Sequence, residues 1–173
     1  MLHDTLPHRD HDPVLTLYAH YFLAAELMRT NYAKLSSQRK QRGRLSRKGD
    51  VNLSIYFCSW LGFLAVTCEG FRKLQVRLLL QKNRPDYFCE LVPKSDAIGR
   101  TIKQHFDPLR EFRNSVFHLR DDTGAINRFF TQKVGGLLWA EKLHADFVDF
   151  FSDYRVLCEV RYVLKGRTSE IRM

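Results

Sequence analysis

The sequence predicts an all-α fold, a four- to five-helix up-and-down bundle, on three observations. Apolar residues recur at steps of three and four in four separate stretches, the spacing that lines one face of a helix. No stretch shows the apolar–polar alternation of a half-buried strand, and no internal repeat is present. Clusters of Gly, Pro, Asn and basic residues fall between the four stretches and mark the connections.

The first helix is expected over residues 14–35, with Leu15, Tyr18, Phe22, Ala25, Met28, Tyr32 and Leu35 on one face. Asp12 followed by Pro13 supplies an N-cap and a first helical position. The second is expected over 51–81, with Tyr56, Trp60, Phe63, Leu64, Phe71, Leu74 and Leu78 as its stripe. Gly62 and Gly70 lie inside it, and each costs up to about 1 kcal/mol of helix propensity. Both read as points where another helix comes close. Residues 82–94, with Asn83, Pro85 and Pro93, form a connector. The third helix is expected over 95–120, with Ile98, Ile102, Phe106, Leu109, Phe112, Val116 and Leu119 on its apolar face. Asp107-Pro108 predicts a kink or a fresh start there, because Pro disfavours helical geometry in the residue before it. A loop over 121–136, holding one short helix around Phe129, leads to a fourth helix over 137–157 anchored by Leu138, Phe147, Phe150, Phe151 and Tyr154. Residues 1–12 read as a flexible lead-in, 13–165 as a single domain containing a basic loop at 37–50, and 166–173 as a frayed tail.

With 173 residues and 45% hydrophobic residues, the chain can bury one proper core. Twenty-eight Lys and Arg against nineteen Asp and Glu leave a net charge of +9. Such an excess favours polyanionic partners by counterion release and steering. Residues 38–48 concentrate it, with Arg39, Lys40, Arg42, Arg44, Arg47 and Lys48 in eleven positions. They read as a phosphate-contacting arm flanking an active groove, in preference to a solvated loop or a nuclear-import signal. Cys58, Cys68, Cys89 and Cys158 have neither C-x-x-C pairing nor zinc-ligand spacing. They are expected as free thiols in a reducing cytoplasm, and the N-terminus has no signal-peptide core. The uncharged run at 51–68 is long enough for a membrane check. Its Asn52, Ser54, Ser59 and Thr67 point instead to a buried core helix, and no membrane association is expected. His3, His8 and His11 with Asp4, Asp10 and Asp12 resemble a metal cluster, but a flexible terminus does not preorganise one. No metal or cofactor is expected. His20 and His144 read as structural.

The residues fit for chemistry are Arg113, Asn114 and His118. On an ideal helix of about 100° per residue, Asn114 and His118 share a face, and His118 points about 180° away from Leu109, off the apolar stripe. Histidine titrates near neutral pH and can take the ribose 2′-hydroxyl proton or supply one to a leaving oxygen. Guanidinium offers a rigid fork of donors to phosphate oxygens. Asn114 could orient the imidazole or the phosphate. One histidine cannot serve both sides of a phosphate, but two copies in a symmetric dimer could. Glu69 is a candidate supporting partner for Arg113, and Arg120 a further RNA contact.

The segment LREFRNSVFHLRD, late in the third helix of a four-helix protein, resembles the HEPN domains (higher eukaryotes and prokaryotes nucleotide-binding). Their hallmark is Arg, usually a polar residue, three to five more and then His; Arg113, Asn114 and His118 match it. CSWLGFLAVTCEGFRKL, with its Glu69-Gly70 pair, also looks like the second helix of such proteins. The resemblance spans about 13–160. It implies a homodimeric, divalent-metal-independent endoribonuclease with both motifs at one cleft, Arg and His as the catalytic pair, and 2′,3′-cyclic phosphate products. It further implies a toxin or phage-defence effector with a cognate antitoxin or defence partner. The branch regulated by nucleotidyltransferase antitoxins carries Tyr two residues after the His, where this chain has Arg120, so control through that tyrosine is not expected. A non-catalytic RNA-, nucleotide- or partner-binding module is the competing expectation, since some members have lost catalysis.

Overall fold

The computed structural model describes residues 6–117 and 135–171. His118, Arg120 and the short helix expected around Phe129 lie outside them. Among the described residues the protein is helical and has no strand, so the all-α expectation holds.

The chain enters its first helix as the sequence predicts. Asp12 Oδ1 accepts hydrogen bonds from the Val14 and Leu15 amides at 2.8 and 3.4 Å, with Pro13 in the first turn. This satisfies donors that a helix start otherwise leaves open. Helix α1 (Pro13–Leu17) passes through a π-helical segment (Tyr18–Phe22) into α2 (Leu23–Arg42). The expected basic loop at 37–50 is mostly helix: α2 runs on to Arg42, Gly43 ends it at φ 72°, and α3 (Arg47–Lys73) begins behind a Ser46 cap. Arg, Lys and Gln are good helix formers, so composition that signals solvent exposure does not signal a loop. The exposure itself is as expected for all six basic residues.

Helix α3 occupies the centre. Trp60, Leu61, Leu64 and Cys68 are fully buried, flanked by Phe57 and Phe71. Among the described residues it is the one helix long and apolar enough to cross a membrane by length and composition; here it is a core helix. The single long helix expected to 81 breaks at Gln75, which adopts φ 49°. The turn swings α4 (Val76–Lys82) so that Val76 and Leu80 enter the core, while Leu78 is left 44% exposed. A 3-10 helix (Asp86–Leu91) fills the connector and buries Phe88 and Leu91.

Helix α5 (Val92–Phe117) runs unbroken through Pro108. The proline removes one backbone donor and crowds the preceding turn. Ile98, Ile102, Leu109 and Phe112, each at most 1% exposed, pack on both sides of it and hold the helix against the core. Helix α6 (Gly135–Leu164) closes the bundle. Its Phe147, Phe150, Phe151 and Tyr154 are fully buried, whereas Leu138 is 67% exposed and anchors nothing. Phe71 meets Phe147 and Phe150 edge-on at 5.3 Å, and Phe22 meets Phe151 at 5.1 Å. Among the described residues, the segments 6–9 and 167–170 are fastened together, where a flexible lead-in and a frayed tail were expected. Arg9 donates its amide to Glu170 at 2.7 Å, and Arg167 reaches the Leu6 and Pro7 carbonyls at 3.0 and 2.8 Å.

Both helix glycines are packing points. A Cβ on Gly70 would lie 2.4 Å from a methyl of Leu17, and one on Gly62 would lie 2.3 Å from the Phe117 ring. Leu17 is buried and Phe117 is 46% exposed. Gly70→Ala therefore has to overpack a closed site and is expected to cost about 1–2 kcal/mol. Gly62→Ala can push Phe117 toward solvent and gain helix propensity, for a net change under about 1 kcal/mol. Thermal denaturation of the two variants checks this; equal losses would contradict it.

Candidate functional site

Helices α3 and α5 lie side by side, with Phe63 and Gly62 against Phe117 at one level. About two turns further along α3, Glu69 faces Arg113, one turn before the end of the described part of α5. Gly70 beside it takes Leu17, so the Glu-Gly pair turns one residue to the core and the other to the neighbouring helix.

Arg113 Nη1 donates to Glu69 Oε2 at 2.9 Å, as the sequence anticipated. Its Nε and Nη2 donate to Asn114 Oδ1 at 3.1 and 2.7 Å. The guanidinium has five N–H donors. These bonds occupy three of them, fixing the plane of the fork and leaving two. Arg113 and Glu69 keep 24% and 32% of their side-chain surface exposed, so the remaining donors can meet a ligand. Such a partly exposed ion pair adds at most about 1 kcal/mol to stability. The amide nitrogen of Asn114 has no partner among the described residues. Leu109 and Phe112, in the turn before, root this stretch of α5 in the core, Phe112 edge-on to Phe57 at 6.2 Å.

The structure brings together Arg113, Asn114 and Glu69. It does not bring the basic arm to them. Arg47 and Glu69 are separated by 22 residues of continuous α3, about 33 Å at 1.5 Å per residue. Within the arm, Arg39 approaches Asp50 at 4.0 Å on the open surface. Of the histidine–aspartate group at the N-terminus, Asp12 is committed to the α1 cap, and His8 accepts from the Asp10 amide.

Two buried polar networks join residues that sequence reasoning did not pair. Arg84, from the connector, donates Nε to Tyr154 Oη at 2.6 Å and Nη2 to Asp12 Oδ1 at 3.0 Å, while Tyr154 donates to Asp12 Oδ2 at 2.7 Å. Burial, then the Asp12 charge, pushes the Tyr154 phenol well above its usual range and the Cys158 thiol up to about 12, so that thiol is inert at neutral pH. A charged residue between Asn83 and Pro85 gives no sign that it will be buried.

The second network carries His144, which is structural as expected. Trp60 Nε1 donates to His144 Nδ1 at 3.1 Å. That leaves Nε2 as the protonated nitrogen, bonded to Glu26. Burial holds the imidazole below its usual value against the opposing pull of Glu26; Arg29 lowers it further and Glu141 raises it. The folded state thus binds this proton less readily than the unfolded chain. The stabilisation is complete above about pH 6.5 and is lost as pH falls below it, because an added proton takes the acceptor from Trp60. Wild type is expected to lose more thermal stability than His144→Gln between pH 7.5 and 5.5; parallel losses would contradict the assignment.

No family model, curated protein or solved structure matches the chain.

Proposed function

We propose that the protein is a HEPN-like, metal-independent endoribonuclease that cleaves RNA at a composite site formed by two copies of the chain. The observation that carries this reading is the Arg113 fork, fixed by Glu69 and Asn114 with two donors to spare at the surface. His118 follows Asn114 by one helical turn of sequence. One His118 takes the 2′-hydroxyl proton as that oxygen attacks phosphorus. The second subunit's copy of the same histidine protonates the departing 5′-oxygen. Arg113 stabilises the charge that builds on the phosphoryl oxygens. The products are a 2′,3′-cyclic phosphate and a 5′-hydroxyl. The net positive charge favours RNA as substrate. Because the basic arm lies about 33 Å along α3 from Glu69, it serves this site along a bound strand or from the second subunit. Resemblance of the motif to toxin and defence nucleases supports such a role, with an antitoxin or defence partner, in the cytoplasm.

A second reading, a non-catalytic RNA- or nucleotide-binding module, is favoured by one feature. The Arg113–Glu69 pair already gives the arginine a carboxylate partner, which suits a latch between helices. Cleavage of RNA in EDTA separates the two. Wild type is expected to cut, and His118→Ala to fall by about 10²–10⁴ in rate, the usual contribution of a general acid or base. Undiminished cutting by His118→Ala would end the catalytic reading.

A further inference from the structure

We infer that the cleft between the end of α3, the start of α4 and the first half of α5 is a subsite for a nucleoside phosphate of single-stranded RNA. The cleft encloses about 400 Å³, within the range of small-ligand pockets. Phe71 and Val76 give it an apolar floor, and Arg72, Arg77, Arg100 and Lys103 stand around it. Asp96 is the one carboxylate lining it, and it faces Arg77 at 3.5 Å. Arg100 and Lys103 have no ion-pair partner among the described residues. Arg72 lies over the Phe106 ring at 4.3 Å, which holds its guanidinium at the cleft edge.

Two further features single out the place. Gln75, the only non-glycine residue at positive φ among the described residues, lines the cleft. That turn carries α4 so that Arg77 meets Asp96 of α5 at the cleft. Gly99 also lines it, and a Cβ added there would meet nothing within 4 Å. The opening is therefore wide where α5 passes.

A base fits against the apolar lining, where Leu78 is 44% exposed, and its phosphate fits the cations, a pairing of apolar surface and charge that suits single strands. The position fits the strand's course. Arg72 is one helical turn beyond Glu69 on α3, and Lys103 lies ten residues before Arg113 on α5, about 15 Å along the helix. The basic arm is more than twice as far away. The inference rests on the RNA part of the proposed function, not on catalysis.

The test uses a 2′-O-methyl oligonucleotide, which resists 2′-hydroxyl cleavage, with uridine monophosphate and inorganic phosphate as separate probes. Gly99→Glu places a carboxylate in open space within the cleft and removes a helix glycine, so its fold and Tm should be preserved. This variant and Lys103→Glu are each expected to weaken oligonucleotide binding tenfold or more. They should also flatten its salt dependence by about 0.7 per lost phosphate contact. Lys142→Glu on α6 is expected to leave binding unchanged. Equal loss of uridine monophosphate binding supports the subsite with a free nucleotide as its source, and loss of oligonucleotide binding alone supports it with RNA. Unchanged affinity for every probe in folded Gly99→Glu and Lys103→Glu overturns it. If wild type cleaves RNA and Gly99→Glu cleaves with the same KM, the subsite fails and the nuclease stands. If wild type does not cleave but Gly99→Glu loses oligonucleotide binding, the nuclease fails and the subsite stands.

Discussion

Replacing Arg84 with Ala is expected to destabilise the fold by about 3–5 kcal/mol, the usual cost of stranding one partner of a buried ion pair. Asp12 is fully buried, and Arg84 retains 4% of its side-chain surface. Without the guanidinium, the Asp12 carboxylate keeps only Tyr154 and two backbone amides, and its charge has no cation to balance it. The same carboxylate starts α1, so the loss spreads from the connector to the first helix and to α6. At roughly 2–4 °C per kcal/mol for a chain of this size, Tm should fall by about 6–20 °C. Lys142→Ala is the control. Its partner Asp146 lies one turn away on the same exposed helix face, and such pairs contribute about 0.3–0.5 kcal/mol. Losses of similar size in the two variants would mean that the buried network is not what joins these elements.

Arg113→Lys is expected to reduce RNA cleavage by about 10²–10³, the scale of removing one preorganised donor from a developing charge. Lysine keeps the positive charge and can still meet Glu69, but it has no planar fork to share between Asn114 and a phosphate. Because the Arg113–Glu69 pair is partly exposed, stability should change by no more than about 1 kcal/mol. Rate and stability thus separate. A variant that cuts as fast as wild type would show that the fork has no part in catalysis, whereas one that merely unfolds would show that Arg113 is a structural latch.

Features with a local physical cause were legible in the sequence. Asp12-Pro13 announces a helix start because the cap and the fixed φ act within three residues. Gly62 and Gly70 announce close approach because only a neighbour compensates for their cost in a helix. The Glu69–Arg113 pair followed from two helices brought side by side with opposite charges at the join. Features decided by tertiary packing were not legible. Gln75 has no composition signal for positive φ; the turn exists because Val76 and Leu80 must reach the core. Of the kink or fresh start expected at Pro108, the fresh start does not occur: α5 runs through it, with Leu109 and Phe112 buried just beyond. Arg84 looks like a surface residue until Asp12 and Tyr154, 72 and 70 positions away, converge on it. The basic arm was read as flanking the active groove, and distance along α3 separates it from Arg113 instead. Arg72, Arg100 and Lys103 carried no signal individually, because their grouping depends on the packing of α3 beside α5, and Arg77 joins them only through the bend at Gln75.

The sharpest experiment reads the ends that purified wild-type protein leaves on RNA in EDTA. Two imidazoles and a fixed guanidinium acting on the 2′-hydroxyl give a 2′,3′-cyclic phosphate on one fragment and a 5′-hydroxyl on the other, and both should form about 10²–10⁴ times more slowly with His118→Ala. Ends carrying 3′-hydroxyl and 5′-phosphate, or intact RNA after prolonged incubation with folded protein, would contradict the mechanism.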